Sequence, residues 1–190
     1  GVVPDESWPG NKAIFEDAVK VTKNLDVPYL SFHAGFIDES DAAKYEVMRQ
    51  RLKCLADIAA DHGIILLMET GQETAEEMAS FMKYLDHPAL GINYDPANMI
   101  LYDKGNPIEG LKVLAPWIKH IHIKDAIETD TPGQWGAEVP WSQGQVNGDA
   151  FLAMLTEIGY KGTLAIEREG GDDRLGDIGI AAKVLRQAIG

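Results

Sequence analysis

Short apolar runs alternate with longer amphipathic segments along the chain, and this alternation predicts its fold. Five of the apolar runs are typical of buried strands, because most of them are bounded by Gly, Pro or polar residues. The predicted strands are Val27–His33, Ile64–Glu69, Leu90–Asp95, Ile118–Lys124 and Gly162–Glu167.

Segments in which apolar residues recur with a helical period separate these strands. In one of them Met48, Leu52 and Leu55 lie at the spacing of one helix face. Another begins with Thr-Ala-Glu-Glu at Thr74, a capping-box pattern that marks a helix start. The predicted helices are Asn11–Asn24, Ala42–His62, Thr74–Leu85, Pro107–Leu114, Asp149–Ile158 and Asp172–Ile189. Strands that alternate with helices predict a parallel sheet with right-handed crossovers.

Two architectures fit this alternation, an open doubly wound sheet and a (β/α)8 barrel. No Gly-x-Gly-x-x-Gly follows a strand, as a dinucleotide-binding open sheet would require. An ionisable residue lies at or next to the end of every predicted strand: His33, Glu69, Asp95, His122 and Glu167. A barrel enzyme places its chemistry at this C-terminal rim, whereas an open sheet uses one switch point. The strand ends therefore favour the barrel.

The number of strands is too small for a closed barrel, which takes about 250 residues in eight units. We therefore predict that residues 1–190 form a single TIM-barrel-like domain that holds the fourth to eighth βα units and lacks the first three strands. The alternative is that a partner chain supplies the missing strands, in a homo-oligomer.

Composition narrows the classes of function. The formal net charge of −13 argues against nonspecific binding to nucleic acid, and no apolar run is long enough for a membrane span. A single cysteine, Cys54, excludes an internal disulfide framework and a cysteine-rich zinc site. No signal-peptide pattern opens the chain, so we expect a cytoplasmic protein without a nucleic-acid or membrane partner.

Four of the strand-end residues, Glu69, Asp95, His122 and Glu167, suggest a metal site. In a barrel these strand ends converge on one axis, and three carboxylates there would repel one another unless a cation lies between them. Oxygen ligands with one imidazole suit a single divalent ion, Mn²⁺, Mg²⁺, Co²⁺ or Zn²⁺.

Four segments resemble the xylose-isomerase-like TIM-barrel superfamily, and within it the sugar phosphate isomerase/epimerase group. They are Leu66–Glu73, Gly91–Met99, Lys119–Asp125 and Leu164–Arg174. The resemblance implies that Glu69, Asp95, His122 and Glu167 hold the metal and that Glu69 and Glu167 form the acid/base pair. His120 shares a strand face with His122 but lies one layer lower, so we expect His122 to be the ligand.

The resemblance implies a divalent-metal-dependent isomerase or epimerase that acts on a sugar, sugar phosphate or related keto-polyol through an enediolate. A dehydratase or lyase of the keto-inositol or dehydroshikimate type would use the same site. An endonuclease-IV-like hydrolase is a third reading, but those enzymes carry a histidine where Asn98 stands. The small-molecule carbohydrate substrate is expected to contact His33, Asn98, Lys124, Trp135 and Arg168.

Three of these expected substrate contacts could instead have purely structural roles. His33 could be a structural rim residue, and Lys124 could form a salt bridge with Asp125 or with a loop carboxylate. Trp135, with Trp141, lies in Ala126–Asn147, a long segment without a strand or helix period. We expect the two tryptophans to form an apolar wall over the sugar ring, although they could simply pack the loop.

Overall fold

The computed structural model describes residues 2–35, 37, 39–131 and 133–189. Seven strands lie in this part of the chain: β1 (Tyr29–Phe32), β2 (Ile65–Glu69), β3 (Leu90–Tyr94), β4 (Ile118–Ile123), β5 (Asp125–Ile127), β6 (Ala137–Val139) and β7 (Thr163–Ile166). The described helices are α1 (Trp8–Asn24), α2 (Ala42–Asp61), α3 (Ala75–Leu85), α4 (Pro96–Leu101), α5 (Pro107–Leu114), α6 (Gly148–Glu157) and α7 (Arg174–Ile189).

Five strands form one parallel sheet in the order β1-β2-β3-β4-β7. The order follows the chain, so each crossover places its helix beside the next strand, as in a barrel wall. These are the five predicted strands. The sheet is a half-barrel, which confirms the prediction of an incomplete (β/α)8 barrel.

The core lies where the middle strands meet the helices. All five residues of β3 are buried, and the fully buried side chains include Leu66, Ile92 and Phe81. α3 begins at the predicted capping box, in which Thr74 and Glu77 satisfy each other's backbone N–H groups. Among the described residues, no helix has both the length and the apolar character needed to cross a membrane.

The described part of the segment Ala126–Asn147, which was predicted to be irregular, contains a short hairpin. Its residues, with Asp125, form the antiparallel hairpin β5–β6. The Asp125 carboxylate holds the segment, because it accepts hydrogen bonds from the backbone N–H groups of Ala126, Ser142, Gly144 and Val146. Lys124 does not form the suggested salt bridge with Asp125, because the Asp125 carboxylate accepts its hydrogen bonds from the loop backbone.

Position 144 requires glycine, because a Cβ there would overlap the Asp125 carboxylate.

The position of Trp141 differs from the expectation that this residue forms a wall over the substrate. It is 3% exposed, and its ring packs edge-on against Phe151, with ring centroids 6.1 Å apart. Trp141 therefore belongs to the core beneath the hairpin and cannot form a wall over a substrate.

Candidate active site

The four predicted metal ligands come together at the C-terminal rim of the sheet. Glu69 ends β2, Asp95 follows β3, His122 lies in β4, and Glu167 follows β7. One ligand atom from each residue lies within 4.8 Å of the other three. Within the described residues, this is the one group of three or more His, Cys, Asp and Glu side chains arranged in this way.

Asp95 is fixed by the helix that it starts. Its Oδ1 accepts hydrogen bonds from the N–H groups of Ala97 (2.8 Å) and Asn98 (3.1 Å), which makes it the N-cap of α4. Its other oxygen, Oδ2, lies 3.4 Å from His122 Nδ1 and 3.5 Å from Lys124 Nζ. One oxygen therefore caps a helix while the other faces the site.

His122 lies among the three carboxylates. Its Nδ1 is 3.2 Å from Glu167, 3.4 Å from Glu69 and 3.4 Å from Asp95. Burial alone would lower the pKa of His122, but the hydrogen bonds to these carboxylates raise it to about 11. His122 Nδ1 therefore lies at the point on which the three carboxylates converge.

Asn93 links His122 to the histidine one layer below. The Asn93 amide nitrogen lies 3.1 Å from His122 Nε2, and its oxygen lies 2.8 Å from His120 Nδ1. His120 is not among the four residues whose ligand atoms lie within 4.8 Å of one another, whereas His122 is. Asn93 was missed, although it lies two residues before Asp95 on the same face of β3.

Lys124 is buried, with 4% of its side chain exposed, and lies between carboxylates. Its Nζ is 2.9 Å from Glu167 Oε2 and 3.1 Å from Glu169 Oε2. Hydrogen bonds from His122 and Lys124 outweigh burial and lower the pKa of Glu167 to about 2. Lys124 thus forms the ion pair with a loop carboxylate, Glu169, that the sequence offered as an alternative, and it also pairs with Glu167, one of the predicted metal ligands.

Asn98 orients Glu69, the other member of the predicted acid/base pair. Its amide nitrogen donates to Thr70 O at 3.0 Å and lies 3.4 Å from Glu69 Oε1. Thr70 in turn joins the two strand ends, because its hydroxyl accepts from Asp95 N–H at 2.8 Å and donates to Asp95 O at 3.2 Å. Thr70 was not singled out in the sequence, since a lone threonine carries no signal for such a link.

His33 lies beside Glu69, and Trp135 is more distant from the four residues, since its ring contacts Tyr102. His33 Nε2 is 3.7 Å from Glu69 Oε2, and the side chain of His33 is 63% exposed. Trp135 is 69% exposed and packs perpendicular to the Tyr102 ring, with ring centroids 5.1 Å apart. Both residues are therefore accessible to a ligand, whereas the buried Trp141 is not.

Arg168 lies at the other side of the site and is engaged by two carboxylates. Its Nε donates to Asp177 and its Nη1 to Glu138, both at 2.8 Å. Glu138 also accepts from the N–H groups of Glu169 (2.9 Å) and Gly170 (3.2 Å). The hairpin β5–β6 is thereby tied to the loop that follows Glu167, and the Arg168 guanidinium is occupied by this contact.

A family model described as the xylose isomerase-like TIM barrel matches residues 4–188. The chain belongs to this family. Among curated proteins, it is 26% identical over 178 residues to an inosose dehydratase from Clostridium botulinum. The alignment covers 84% of the chain and 58% of the relative, so the chain spans little more than half the length of that protein.

Solved structures share the fold over nearly the whole chain. A xylose isomerase domain protein from Planctomyces limnophilus is 37% identical with a TM-score of 0.91, and the match covers 99% of this chain and 67% of that one. A D-tagatose 3-epimerase-like protein is 24% identical with a TM-score of 0.73 over 92% of this chain and 69% of that one. A Mycobacterium smegmatis barrel protein in complex with magnesium is 22% identical with a TM-score of 0.79, covering 100% and 71%.

The residues present fit a divalent metal ion. Three carboxylates and one imidazole supply a mixed oxygen and nitrogen donor set, which suits Mg²⁺, Mn²⁺, Co²⁺ and Zn²⁺. Three carboxylates also converge on this point, where a cation would relieve their mutual repulsion.

Proposed function

We propose that the protein is a divalent-metal-dependent isomerase or epimerase that acts on a sugar, sugar phosphate or related keto-polyol through an enediolate. One observation carries the proposal: two glutamates, Glu69 and Glu167, approach the same point from different strands, beside Asp95 and His122. Such a pair can remove a proton from one side of a carbon atom and return one from the other side.

Glu69, Asp95, His122 and Glu167 would hold the metal. A divalent ion there would polarise adjacent hydroxyl and carbonyl oxygens and stabilise negative charge that develops on them. Glu69 and Glu167 are the proton-transfer groups, because each has a carboxylate oxygen at the centre. Asn98 positions the Glu69 carboxylate, and Lys124 positions that of Glu167.

The remaining predicted substrate contacts divide into two kinds. His33, exposed beside Glu69, and Trp135, exposed and in contact with Tyr102, are proposed to contact substrate directly. Asn98, Lys124 and Arg168 bind protein carboxylates or backbone, so we propose that they act on the substrate mainly by fixing the groups around it.

A metal-dependent dehydratase is the second candidate, and the similarity to an inosose dehydratase favours it. Such an enzyme would remove the same proton next to a carbonyl and then expel a β-hydroxyl as water. Both reactions begin with enolisation, so the same four residues serve either. A phosphodiester hydrolase fits less well, because the chain is strongly acidic and Asn98 is directed at Glu69 and Thr70.

Proton NMR in D₂O over a panel of ketoses and keto-inositols tests this function. The complete protein is loaded with Mg²⁺, which does not broaden the spectra. Deuterium that appears at the carbon next to the carbonyl, with an isomeric product, supports the isomerase or epimerase; loss of water supports the dehydratase. Glu167→Gln should abolish exchange, whereas Glu157→Gln, an exposed residue of α6, is the matched control. Exchange that persists in Glu167→Gln would contradict the assignment.

A further inference from the structure

One carboxylate of the hairpin β5–β6 binds the chain segment that follows Glu167. It belongs to Glu138 of β6, whose side chain is 9% exposed. Its Oε1 accepts hydrogen bonds from Arg168 Nη1 (2.8 Å) and from the backbone N–H groups of Glu169 (2.9 Å) and Gly170 (3.2 Å). A single oxygen of the hairpin therefore gathers three donors, one from each of the three residues after Glu167.

Arg168 is fixed between two carboxylates. Besides its bond to Glu138, it donates through Nε to Asp177 of α7 at 2.8 Å, and 7% of its side chain is exposed. Position 171 is a glycine with a φ of 78°, and a Cβ there would overlap the Arg168 guanidinium. The loop between β7 and α7 therefore turns closely around an arginine that has little freedom to move.

The hairpin is itself joined to elements that carry two other predicted ligands. Its first strand, β5, comes directly after β4, which carries His122. The N–H of Gly136 donates to Leu101 O at 3.0 Å, at the end of α4, and Asp95 caps the start of that helix. Glu138 adds a contact to the loop after β7. The hairpin thus spans three of the elements that present ligands at the rim.

Glu167 depends on its surroundings for its orientation. One oxygen of Asp95 is bound to backbone N–H groups, whereas the Glu167 carboxylate meets the side chains of His122 and Lys124. Glu167 also lies just beyond the last residue of β7, where the sheet no longer fixes the chain on its C-terminal side. A contact that fixes the backbone directly after Glu167 therefore helps to fix the direction of its carboxylate.

We propose that Glu138 is a positioning residue for Glu167: it holds the segment after β7 in the conformation that directs the Glu167 carboxylate at the metal. Contacts outside the ligand set commonly change metal affinity by about 10- to 100-fold when they are removed. Glu138 is not one of the four predicted ligands, so its effect is exerted through the loop. The inference rests on the proposed function, because Glu167 is taken to be a metal ligand and a proton-transfer group.

Hydrogen exchange on the complete protein in EDTA tests the contact itself. Glu138→Leu removes both the charge and the acceptor, whereas Glu138→Gln removes the same charge and keeps an acceptor oxygen. We expect the N–H groups of Glu169 and Gly170 to exchange at least about tenfold faster in Glu138→Leu and within about threefold of wild type in Glu138→Gln.

The N–H of Gly136 is the internal control, because its bond to Leu101 O does not involve Glu138. Its exchange should stay within about threefold of wild type in both variants. Equal acceleration at Gly136, Glu169 and Gly170 would show that the whole hairpin opens, which would overturn a role confined to the loop.

Calorimetry with Mn²⁺ tests the effect on the metal. Glu138→Leu should bind Mn²⁺ about tenfold more weakly or worse, and Glu138→Gln within about threefold of wild type. Both variants lose the same charge, so the difference between them measures the hydrogen bonds. Asp177→Asn is the matched control: it takes a carboxylate from the same guanidinium and should change the affinity by less than about threefold.

Two calorimetric results would overturn the inference. Mn²⁺ affinity that is unchanged in Glu138→Leu, even in a destabilised protein, would make the role of Glu138 purely structural. Equal weakening in Glu138→Leu and Glu138→Gln would mean that the charge of Glu138 acts on the metal and that the loop contact does not.

These outcomes are distinguishable from failure of the proposed function. If the variants follow the expected order in Mn²⁺ affinity while the wild type exchanges no proton in any ketone of the panel, the positioning role holds and the proposed reaction is wrong. If the wild type exchanges deuterium, and Glu138→Leu binds Mn²⁺ as tightly and exchanges as fast, the reaction holds and Glu138 is not a positioning residue.

Discussion

Lys124 Nζ lies 2.9 Å from Glu167 Oε2, so a buried lysine neutralises one of the two candidate proton-transfer groups. Glu69 has no such lysine; its described contacts are with His33, His122 and Asn98. Burial would lower the pKa of Lys124, but Asp95, Glu167 and Glu169 raise it well above its ordinary value. The two glutamates therefore lie in unequal electrostatic environments, and Lys124 competes with any metal for Glu167 and Asp95.

Replacement of this lysine should change stability and metal binding in opposite directions. Lys124→Met leaves the acidic centre without one of its cations, so the metal-free protein should lose about 3 kcal/mol of unfolding free energy or more at pH 7. The same loss of positive charge should tighten Mn²⁺ binding, by about tenfold. Urea titration and calorimetry measure the two effects. Lys161→Met, an exposed residue before β7, is the control. Weaker Mn²⁺ binding in Lys124→Met would mean that Lys124 supports the metal site instead.

Removal of a metal ligand should abolish the site. Glu69→Gln and His122→Ala each remove one donor from a set of four, and each variant should fail to bind the single equivalent of Mn²⁺ that the wild type binds. Calorimetry on EDTA-treated protein checks this, with the exposed Glu157→Gln as the control. Unchanged affinity in both ligand variants would contradict the centre, and a wild-type stoichiometry near three would support a repair-nuclease-like site.

The buried Glu73 should make stability depend on pH. Its pKa is about 7 in the folded protein and 4.5 in a model peptide, so the folded state holds the proton more tightly. Its contribution is fully present below pH 4.5 and is lost as the pH rises to about 7, by up to about 3 kcal/mol. Glu73→Gln should therefore be more stable than wild type at pH 8 and comparable at pH 4.5.

Urea unfolding at the two pH values, in EDTA, measures this difference. Glu76→Gln is the control, because Glu76 is exposed in the first turn of α3. If wild type and Glu73→Gln show the same pH dependence of stability, Glu73 is ionised in the folded protein at neutral pH and its pKa is not raised by burial.

The sequence predicted correctly the features that depend on a repeated apolar pattern or on the topology of a parallel sheet. The predicted strands appear because apolar runs bounded by polar residues mark buried strands. Glu69, Asp95, His122 and Glu167 could be grouped before any coordinates, because the carboxyl ends of parallel strands meet at one rim.

Features made by short elements and distant contacts were harder to predict. α4 has six residues, too few to show a helical period, although its Asp-Pro start at Asp95 was visible. The strands of the hairpin β5–β6 have three residues each. Nothing in the sequence indicated that Glu138 of this hairpin would form an ion pair with Arg168. Nor did the sequence indicate that Trp141 would be buried while Trp135 is exposed. These differences depend on how the hairpin docks, which local patterns do not encode.

The half-barrel has two open strand edges, and we expect residues 1–190 in isolation to associate through them. β1 pairs only with β2, and β7 only with β4, so the outer side of each edge strand has unpaired backbone groups among the described residues. Apolar surface is exposed beside the first edge, where Ile14, 70% exposed, lines a cavity with Leu30 and Phe32 of β1. Leu25 (68%) and Leu175 (83%) are also exposed. Unpaired edges flanked by apolar surface favour pairing with another chain.

Light scattering on residues 1–190 should therefore show dimers or larger species. A chain with about 90 further N-terminal residues, the length of three more βα units, should be stable without such pairing.

A charged residue on the strand edge distinguishes edge pairing from nonspecific association. Ser31→Lys, at an exposed position of β1, should reduce self-association because an edge lysine opposes strand addition, while Thr156→Lys on α6 should not. A monodisperse monomer of residues 1–190 that unfolds cooperatively would show that the five strands are stable as an open sheet, because both edges would then be tolerated in water without a partner.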